Sequence, residues 1–566
     1  MPKIPLIGVS DSGRTPDINS HRAVNLMPQI RNTGAKEQFY WIGAPGLKDF
    51  ATIAGVSRGQ WALDGYIYYV VGTSFYKIDS AGAITTISNG GVTSSTNTCV
   101  FANNESQVAF VQGTDEIYVY DFIDDVFTVV EEWSTEYPVT QIVNVSTTTY
   151  RATTSITHSA IIGDDVIFKG TTNFNRAYTI TAVAATTFDF THINSTDADE
   201  TSLTDAAAFV REDDLPVTPT HITYMDSYGI VNNTTNDDDE GIRDVDFFVS
   251  YPSDFRIWEP ADTGSAQRDP DAIKAIFAFQ GDLWLFGEIS TETYYNTGSG
   301  TQPFAPTRPS ALQWGCLGPY TVAQTGDGIA FLGTKKYGHP TVLLTSGYNM
   351  QEVSNHALDY NLSLFTPAEL AEATAFAYHE EGSEFYVITF GNDSLGKQTW
   401  VFDSQSTAGA GVFMWHERQD YNGDEFRGKY YGYLNGKHIV SDHTESKLLE
   451  MDRATYTDLV GSSTENITRI GVSGPIHSDD MAMFHHTLVV DMEHPVGTGV
   501  VYLSWSDDGG HTYSSEASRS FTGRDTRVQF DALGMARNQR VYKIRIDAAL
   551  PVNINTAYVR IEQGLW

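Results

Sequence analysis

The chain has 566 residues, 41% hydrophobic and 12% aromatic, with 71 acidic against 35 basic side chains for a formal net charge of −36. That composition excludes a disordered chain, the length allows roughly three to four domains or one large repetitive domain carrying smaller ones, and the charge excludes a phosphate-gripping surface, because binding nucleic acid without sequence preference needs Lys and Arg to release counterions. No run approaches the roughly 18 continuous apolar residues of a membrane span, no basic region followed by a long apolar run opens the chain, so neither export signal nor anchor is expected, and Cys99 and Cys316 are too few for a disulfide framework or a cysteine metal site.

The charge has two readings. One is solubility in a crowded or high-salt setting; the other is a surface that lets nucleic acid pass without sticking. Abundant Tyr, Phe, Thr and Val favour strands over helices. Short apolar strands bounded by turns recur at 65–72, 107–111, 281–287, 328–333, 384–390 and 429–433, spaced roughly 45 to 55 residues apart outside one long interruption. That is the period of a four-stranded propeller blade, and second strands across polar turns at 75–79 and 399–403 give the hairpins a blade requires. Stacked β-sandwiches are the structural alternative.

Between about Ser146 and Asp214 the composition shifts to Thr, Ala and Asp, with strands at 165–170, 178–183 and 187–191. The break in spacing predicts a small inserted β-barrel or Ig-like module. One helix is predicted at Thr366–Ala375, from an N-cap Thr366, Pro367 at the first helical position and Glu369 at the capping-box position. The last unit opens near Thr468 and ends in two alternating strands, 540–547 and 555–562, the pattern of a half-buried sheet. The expected fold is therefore all-β: a propeller of about six to seven blades in 1–145 and 215–467, interrupted by the module at 146–214, with a C-terminal β domain at 468–566 that closes or packs on the propeller.

Candidate chemistry is sparse. Gly423-Asp-Glu-Phe-Arg-Gly428-Lys429-Tyr430 has the glycine and lysine spacing of a phosphate loop, but Tyr430 stands where Ser or Thr should hold magnesium, Asp424 and Glu425 repel phosphate, and a strand follows where a helix is needed. His477, Asp479, Asp480, His485, His486, Asp491, Glu493 and His494 crowd together, yet His485 and His486 adjoin in a strand and leave opposite faces, so they cannot share one ion. Ser506-Asp507-Asp508-Gly509-Gly510-His511-Thr512-Tyr513 resembles the structural Asp-box turn of sialidases and related propellers, with Tyr in place of the usual Trp, but the further boxes and arginine cluster of a sialidase are missing. The run Asn236–Glu240 lacks the spaced ligands of a calcium loop, and neither a G-x-S-x-G elbow nor an H-E-x-x-H pair occurs. No catalytic residue, cofactor site or metal site is assigned.

A set of ordered motifs carries a resemblance. Val24-Asn25-Leu26-Met27-Pro28, Ala44-Pro45-Gly46-Leu47 and Gly55-Val-Ser-Arg58-Gly59 open it; Tyr224-Met-Asp-Ser-Tyr228, Asp282–Glu288 with Thr291–Tyr295, Trp314-Gly-Cys316, Phe331-Leu-Gly333, Val353-Ser354 to Leu370, Trp400–Asp403 with Trp415, and Ala557–Glu562 follow in order. In this order they resemble the tail hub proteins of short-tailed bacteriophages, also called packaged-DNA stabilisation or tail accessory proteins, over nearly the whole chain except the insert, which shorter members lack. The resemblance implies a non-enzymatic β-propeller of the virion tail, synthesised in the host cytoplasm and present as a homohexameric ring. It implies as partners the portal-adaptor (head-to-tail) protein, the tail needle or distal tail and nozzle proteins, and copies of itself. It also implies a role in retaining packaged DNA and in the ejection channel, with no membrane and no sequence-specific nucleic-acid binding. The rival functions are a carbohydrate-binding or carbohydrate-cleaving propeller of a tail fibre, which would need a groove with paired carboxylates and exposed aromatics, and a generic protein-binding propeller.

Overall fold

Hairpins dictate the architecture. A computed structural model of the chain describes residues 3–30, 39–93, 96–194, 196–237, 241–266, 268–269, 271–299, 302–307, 311–326, 328–478, 481–493 and 497–564. Two-residue turns with both residues at positive φ, Asp64-Gly65, Asp226-Ser227, Gln280-Gly281, Glu381-Gly382 and Asn435-Gly436, each join a first strand to a second. Such turns match the right-handed twist of antiparallel strands and so fix the register of the pair. The second strands are largely buried, as in Gln107–Val111 and Tyr66–Val71, and so are third strands such as Ile117–Asp121.

The chain forms two compact units, Met1–Thr98 with Gln313–Trp566, and Cys99–Leu312. Among the described residues they contain seven antiparallel four-strand sets. In the first unit three sets begin at Ser57, Gly315 and Thr374, and the fourth combines Gly428–Leu434, Lys437–Asp442 and Lys447–Asp452 with Gly46–Thr52 from the other end of the chain. In the second unit sets begin at Val100, Ile222 and Ile273. Neighbouring sets pack face to face through apolar clusters: Leu332, Tyr386 and Trp415 lie in one, Val387, Val440 and Leu449 in the next, Tyr69, Ile439 and Leu448 in a third. In the second unit Val119, Phe248 and Trp258 form one cluster and Phe247, Leu285 and Phe304 another.

The first unit also holds a sandwich. One sheet runs Leu26–Ile30, Phe39–Gly43, Asn553–Gln563, Met483–Met492, Arg527–Ala536; the other runs Arg22–Val24, Thr468–Val472, Gln539–Asp547, Gly499–Ser506, Ala517–Phe521. Its core includes Trp41, Leu488, Leu503, Ile544 and Val559. The first strands of the chain thus stand in the sandwich, beside residues some five hundred positions later.

The insert is a closed six-stranded antiparallel barrel whose first strand, Glu132–Ser146, begins ahead of the composition shift and pairs along Glu200–Asp214. Phe168, Phe174, Phe188 and Phe190 fill it. Its ends are side by side, the Leu215 N–H donating to the Glu131 carbonyl at 2.8 Å. Ile167, Ala207 and Phe209 pack on Ile257 of the adjoining set, and Lys169 of the barrel meets Asp254 at 2.6 Å. Burial would raise the Asp254 pKa, but Arg256 at 2.9 Å and Lys169 outweigh it, so the carboxylate stays charged well below the usual range.

The helix reading needs correction. Among the described residues three short helices occur, His356–Leu362, Pro367–Ala371 and Ser404–Ala410, and the predicted one stops at Ala371 because Thr374 opens a strand. Thr366 and Glu369 do form the reciprocal capping box. The other two are seven residues each and announced only by the N-caps Asn355 and Asp403, too little pattern for a periodicity to show.

Two outcomes are expected. Joining Glu131 to Leu215 by a short Gly-Ser linker leaves a soluble, cooperatively unfolding protein, less stable by about 5 kcal/mol because Trp133 is removed from the cluster with Phe248, Ile257 is uncovered and the Lys169 pair is lost; aggregation of the deleted chain in a refolding assay contradicts this. Glu259, pushed up to about 7 by burial and by Asp262 and Glu136, holds its proton more tightly folded than unfolded, so stability falls as pH rises from about 4.5 to about 7. Glu259→Gln therefore unfolds at a higher temperature than the parent at pH 8 and at the same temperature below pH 4.5; an equal or lower melting temperature at pH 8 contradicts it.

Candidate functional site

Residues 22–30 and 39–52 act as a strap. Val24 lies parallel beside Glu417 and antiparallel to Ile470, so three residues join a blade sheet to a sandwich sheet. Arg22 grips Glu417 with Nε at 3.0 Å and Nη2 at 2.5 Å, and Ser10 Oγ donates to the same carboxylate at 3.1 Å. Asn25 sits in the left-handed region, φ 53°, where Asn is tolerated better than most residues. Its side chain donates to the carbonyls of Gln419 at 3.0 Å and Thr468 at 2.9 Å and accepts from the Gln419 N–H at 3.1 Å.

A guanidinium cluster surrounds the rest of the strap. Arg418 is buried against Phe426, 4.3 Å to the ring centroid, and donates to the Pro45 carbonyl at 3.3 Å. Arg427 is buried on Asp442 and the Leu459 carbonyl. Burial brings the Arg469 pKa down to about 10 and pushes Asp458, beside Leu47, up to about 6 despite the pull of Arg418, Arg427 and Arg469. These charges lock a junction rather than face a substrate. Arg58 behaves alike, donating to the carbonyls of Gly72 and Asn97 from a fully buried position.

The nominated chemical motifs are also used in turns and packing. After Gly423, Gly428 opens a strand, and Asp420 accepts from the Asn422 and Asp424 amides to close a turn. His485 points inward, its Nδ1 2.9 Å from Tyr542 Oη, whereas the ring of neighbouring His486 meets Glu562 at 3.1 Å on the other face. Asp479, Asp480 and His494, like Asp238, Asp239 and Glu240, lie outside the described residues, and no metal-ligating group of three occurs among the described ones. Ser506 Oγ accepts from the Gly510 amide at 2.8 Å and Asp508 accepts from the Thr512 amide at 2.9 Å, with Gly509 and Gly510 at positive φ, so the Asp-box resemblance extends to the turn's hydrogen bonds. Cys99 and Cys316 are buried and are not joined in a disulfide.

What reasoning from sequence missed is a groove of about 780 Å³ in the first unit, assembled from the hairpin ends at 324–326, 377–384 and 431–438. Glu380, Glu381 and Glu384 edge it, with Arg453 held 3.0 Å from Glu380 and 3.7 Å from Glu381. Tyr433 is 56% exposed and its ring lies 5.4 Å from that of His438, whose Nδ1 is 3.0 Å from Tyr431 Oη. Burial lowers the His438 pKa and raises that of Tyr431, so this aromatic shelf is uncharged at neutral pH while the glutamates supply negative charge. Such a groove suits a cation or a basic side chain with an apolar stem.

Two family models match the chain: the β-propeller of bacteriophage P22 Gp10, over residues 2–164 and 150–456, and the β-sandwich of bacteriophage P22 Gp10, over residues 472–562. No curated protein matches. Similar solved structures include the computationally designed Ika8 protein, with 8% identity over 71% of this chain and 99% of that one at a TM-score of 0.33. BamB from Moraxella catarrhalis shows 8% identity over 72% and 98% at 0.34, and the N-terminal domain of Nup159 shows 6% over 75% and 97% at 0.33.

Asn25→Ala removes three part-buried hydrogen bonds and places Ala at positive φ, for an expected loss of about 3 kcal/mol in urea unfolding, of which Asn25→Gly recovers only about 1 kcal/mol. A loss below about 1 kcal/mol for the Ala variant contradicts the role given to the strap.

Proposed function

The chain belongs to the bacteriophage P22 Gp10 family, the packaged-DNA stabilisation or tail hub proteins of short-tailed phages, and on that premise we propose that it is the structural hub of its virion tail, joining the portal-adaptor assembly to the distal tail. In this reading a ring of six copies sits between the two, retains packaged DNA and forms part of the ejection channel. The observation that carries it is the match to both propeller and sandwich models, which together span most of the chain. A second support is that the ordered motifs Val24–Pro28, Ala44–Leu47 and Gly55–Gly59 are used in packing: Asn25, Pro45 and Arg58 hold sheets together.

Charge fits the same reading. A net −36 disfavours a lasting grip on DNA, as a conduit needs, and makes copies repel one another, so a template that positions neighbours would favour the ring. The groove edged by Glu380, Glu381 and Glu384 beside exposed Tyr433 gives the carbohydrate-active reading its one support, against which Arg453 already occupies two of the three carboxylates. Binding on a glycan array would favour that second reading.

Mixing the purified protein with the portal-adaptor complex of its own phage and weighing the product by native mass spectrometry tests the proposal. A stoichiometric ring on the adaptor is expected, with duplex DNA binding weaker than micromolar at physiological salt; no association with that complex, or sub-micromolar DNA binding, overturns the hub reading.

A further inference from the structure

A basic loop lies at the opposite end of the same hairpins from the acidic groove. Within a sheet of antiparallel strands, successive turns fall at alternate ends. The turn between Thr325 and Gly328 joins first to second strand and contributes to the groove, together with the turns at Glu381-Gly382 and Asn435-Gly436. The next turn of the same hairpin series, between Gly333 and Thr341, lies at the far end.

That far turn is Lys335-Lys336-Tyr337-Gly338-His339-Pro340, with no acidic residue in a chain that carries two acidic side chains for each basic one. Residues 335–339 are exposed, Tyr337 to 93%, the most of any large hydrophobic side chain described. Lys335 rests on Trp314, 3.8 Å to the ring, and reaches Glu352 at 3.5 Å, which stiffens the base of the loop; Lys336 lies 5.9 Å from the Tyr337 ring. An exposed aromatic that follows two lysines offers a partner both a ring to bury and a positive charge to pair.

Building on the ring proposed above, we propose that the loop 335–340 of one copy seats in the groove edged by Glu380, Glu381 and Glu384 of the next. Lys336 meets Glu381, whose side chain stays 66% exposed beside Arg453, and Tyr337 lies along the Tyr433 and His438 shelf, so a basic aromatic knob faces an acidic aromatic hollow. Because knob and hollow occupy different patches, the contact is heterologous: each copy offers one to each neighbour, and repetition closes a ring when the rotation per copy allows it. Among acidic copies, this pairing would be where attraction outweighs the general repulsion.

The test uses full-length protein at physiological salt on the portal-adaptor complex of its own phage. Tyr337→Cys and Tyr433→Cys proteins, whose native thiols are buried, are mixed and treated with a short bismaleimide. The expected product links 337 of one copy to 433 of another, in preference to 337–337 or 433–433. Lys336→Glu and Glu381→Lys are each expected to weaken ring assembly at least tenfold, and the two in one chain to restore it. A ring that forms normally with Lys336→Glu, links only between like positions, or a link from 337 to the adaptor overturns this contact while leaving the hub reading standing. Failure of the unaltered protein to assemble at all overturns both.

Discussion

The first unit depends on a pairing between strands four hundred residues apart. Lys447–Asp452 has no later neighbour of its own kind, and its open edge is covered by Gly46–Thr52, with Leu47 opposite Met451 and Ala51 opposite Leu448. Burial follows from that pairing. Leu47 enters the cluster with Val440 and Leu449, and Ala51 enters the one with Tyr69 and Ile439. Without the strand, both faces of the last blade lose part of their cover and an unpaired edge is left for another chain to add to. Such a contact is slow to make, since the long loop between its ends must close before the sheet rewards it. The strap therefore does more than occupy an edge. By carrying Asn25 and Arg22 to Gln419, Thr468 and Glu417, it also ties the sandwich to Met414–Arg418, the last strand of the adjoining set.

Local signals were legible in the amino-acid sequence and distant pairings were not. Strands such as Gln107–Val111 and Gly328–Thr334 stand out because the second strand of a set is buried on both faces and reads as a continuous apolar run. Lys429–Tyr433 falls on a first strand, unlike the other recurring runs: Gly428–Leu434 opens the closing set, whose fourth strand comes from the N-terminal part of the chain. The two-residue turns ending in glycine at 64–65, 280–281, 381–382 and 435–436 are a sharper marker of the repeat than the strands themselves, because left-handed backbone at both positions leaves few residues to choose from. Glu132–Ser146 is hidden by composition, resembling the strands before it while pairing with Glu200–Asp214. The groove is hidden by topology: Glu381, Tyr433 and Gly326 come from three separate hairpins whose first strands run side by side.

Several features that look like chemistry in one dimension serve architecture in three. His485 and His486 diverge across a sheet, the glycines near Lys429 make a turn, and the Asp507 carboxylate holds Arg540 at 2.6 and 2.7 Å beneath Trp505. Buried arginines stand at the junctions, at positions 58, 418, 427 and 469, and each donates to a backbone carbonyl. This economy suits a structural component of a phage tail, the class to which the family match assigns the chain.

Native-state hydrogen exchange of the strap tests this account most directly. If Gly46–Thr52 is integral to the closing sheet, its amides exchange only with the global unfolding of the first unit, at the same rates and with the same denaturant dependence as those of Lys437–Asp442 and Lys447–Asp452. Exchange of residues 46–52 by local opening, while 437–452 stay protected, would contradict it: the strand would then be an ornament on a sheet that is stable without it.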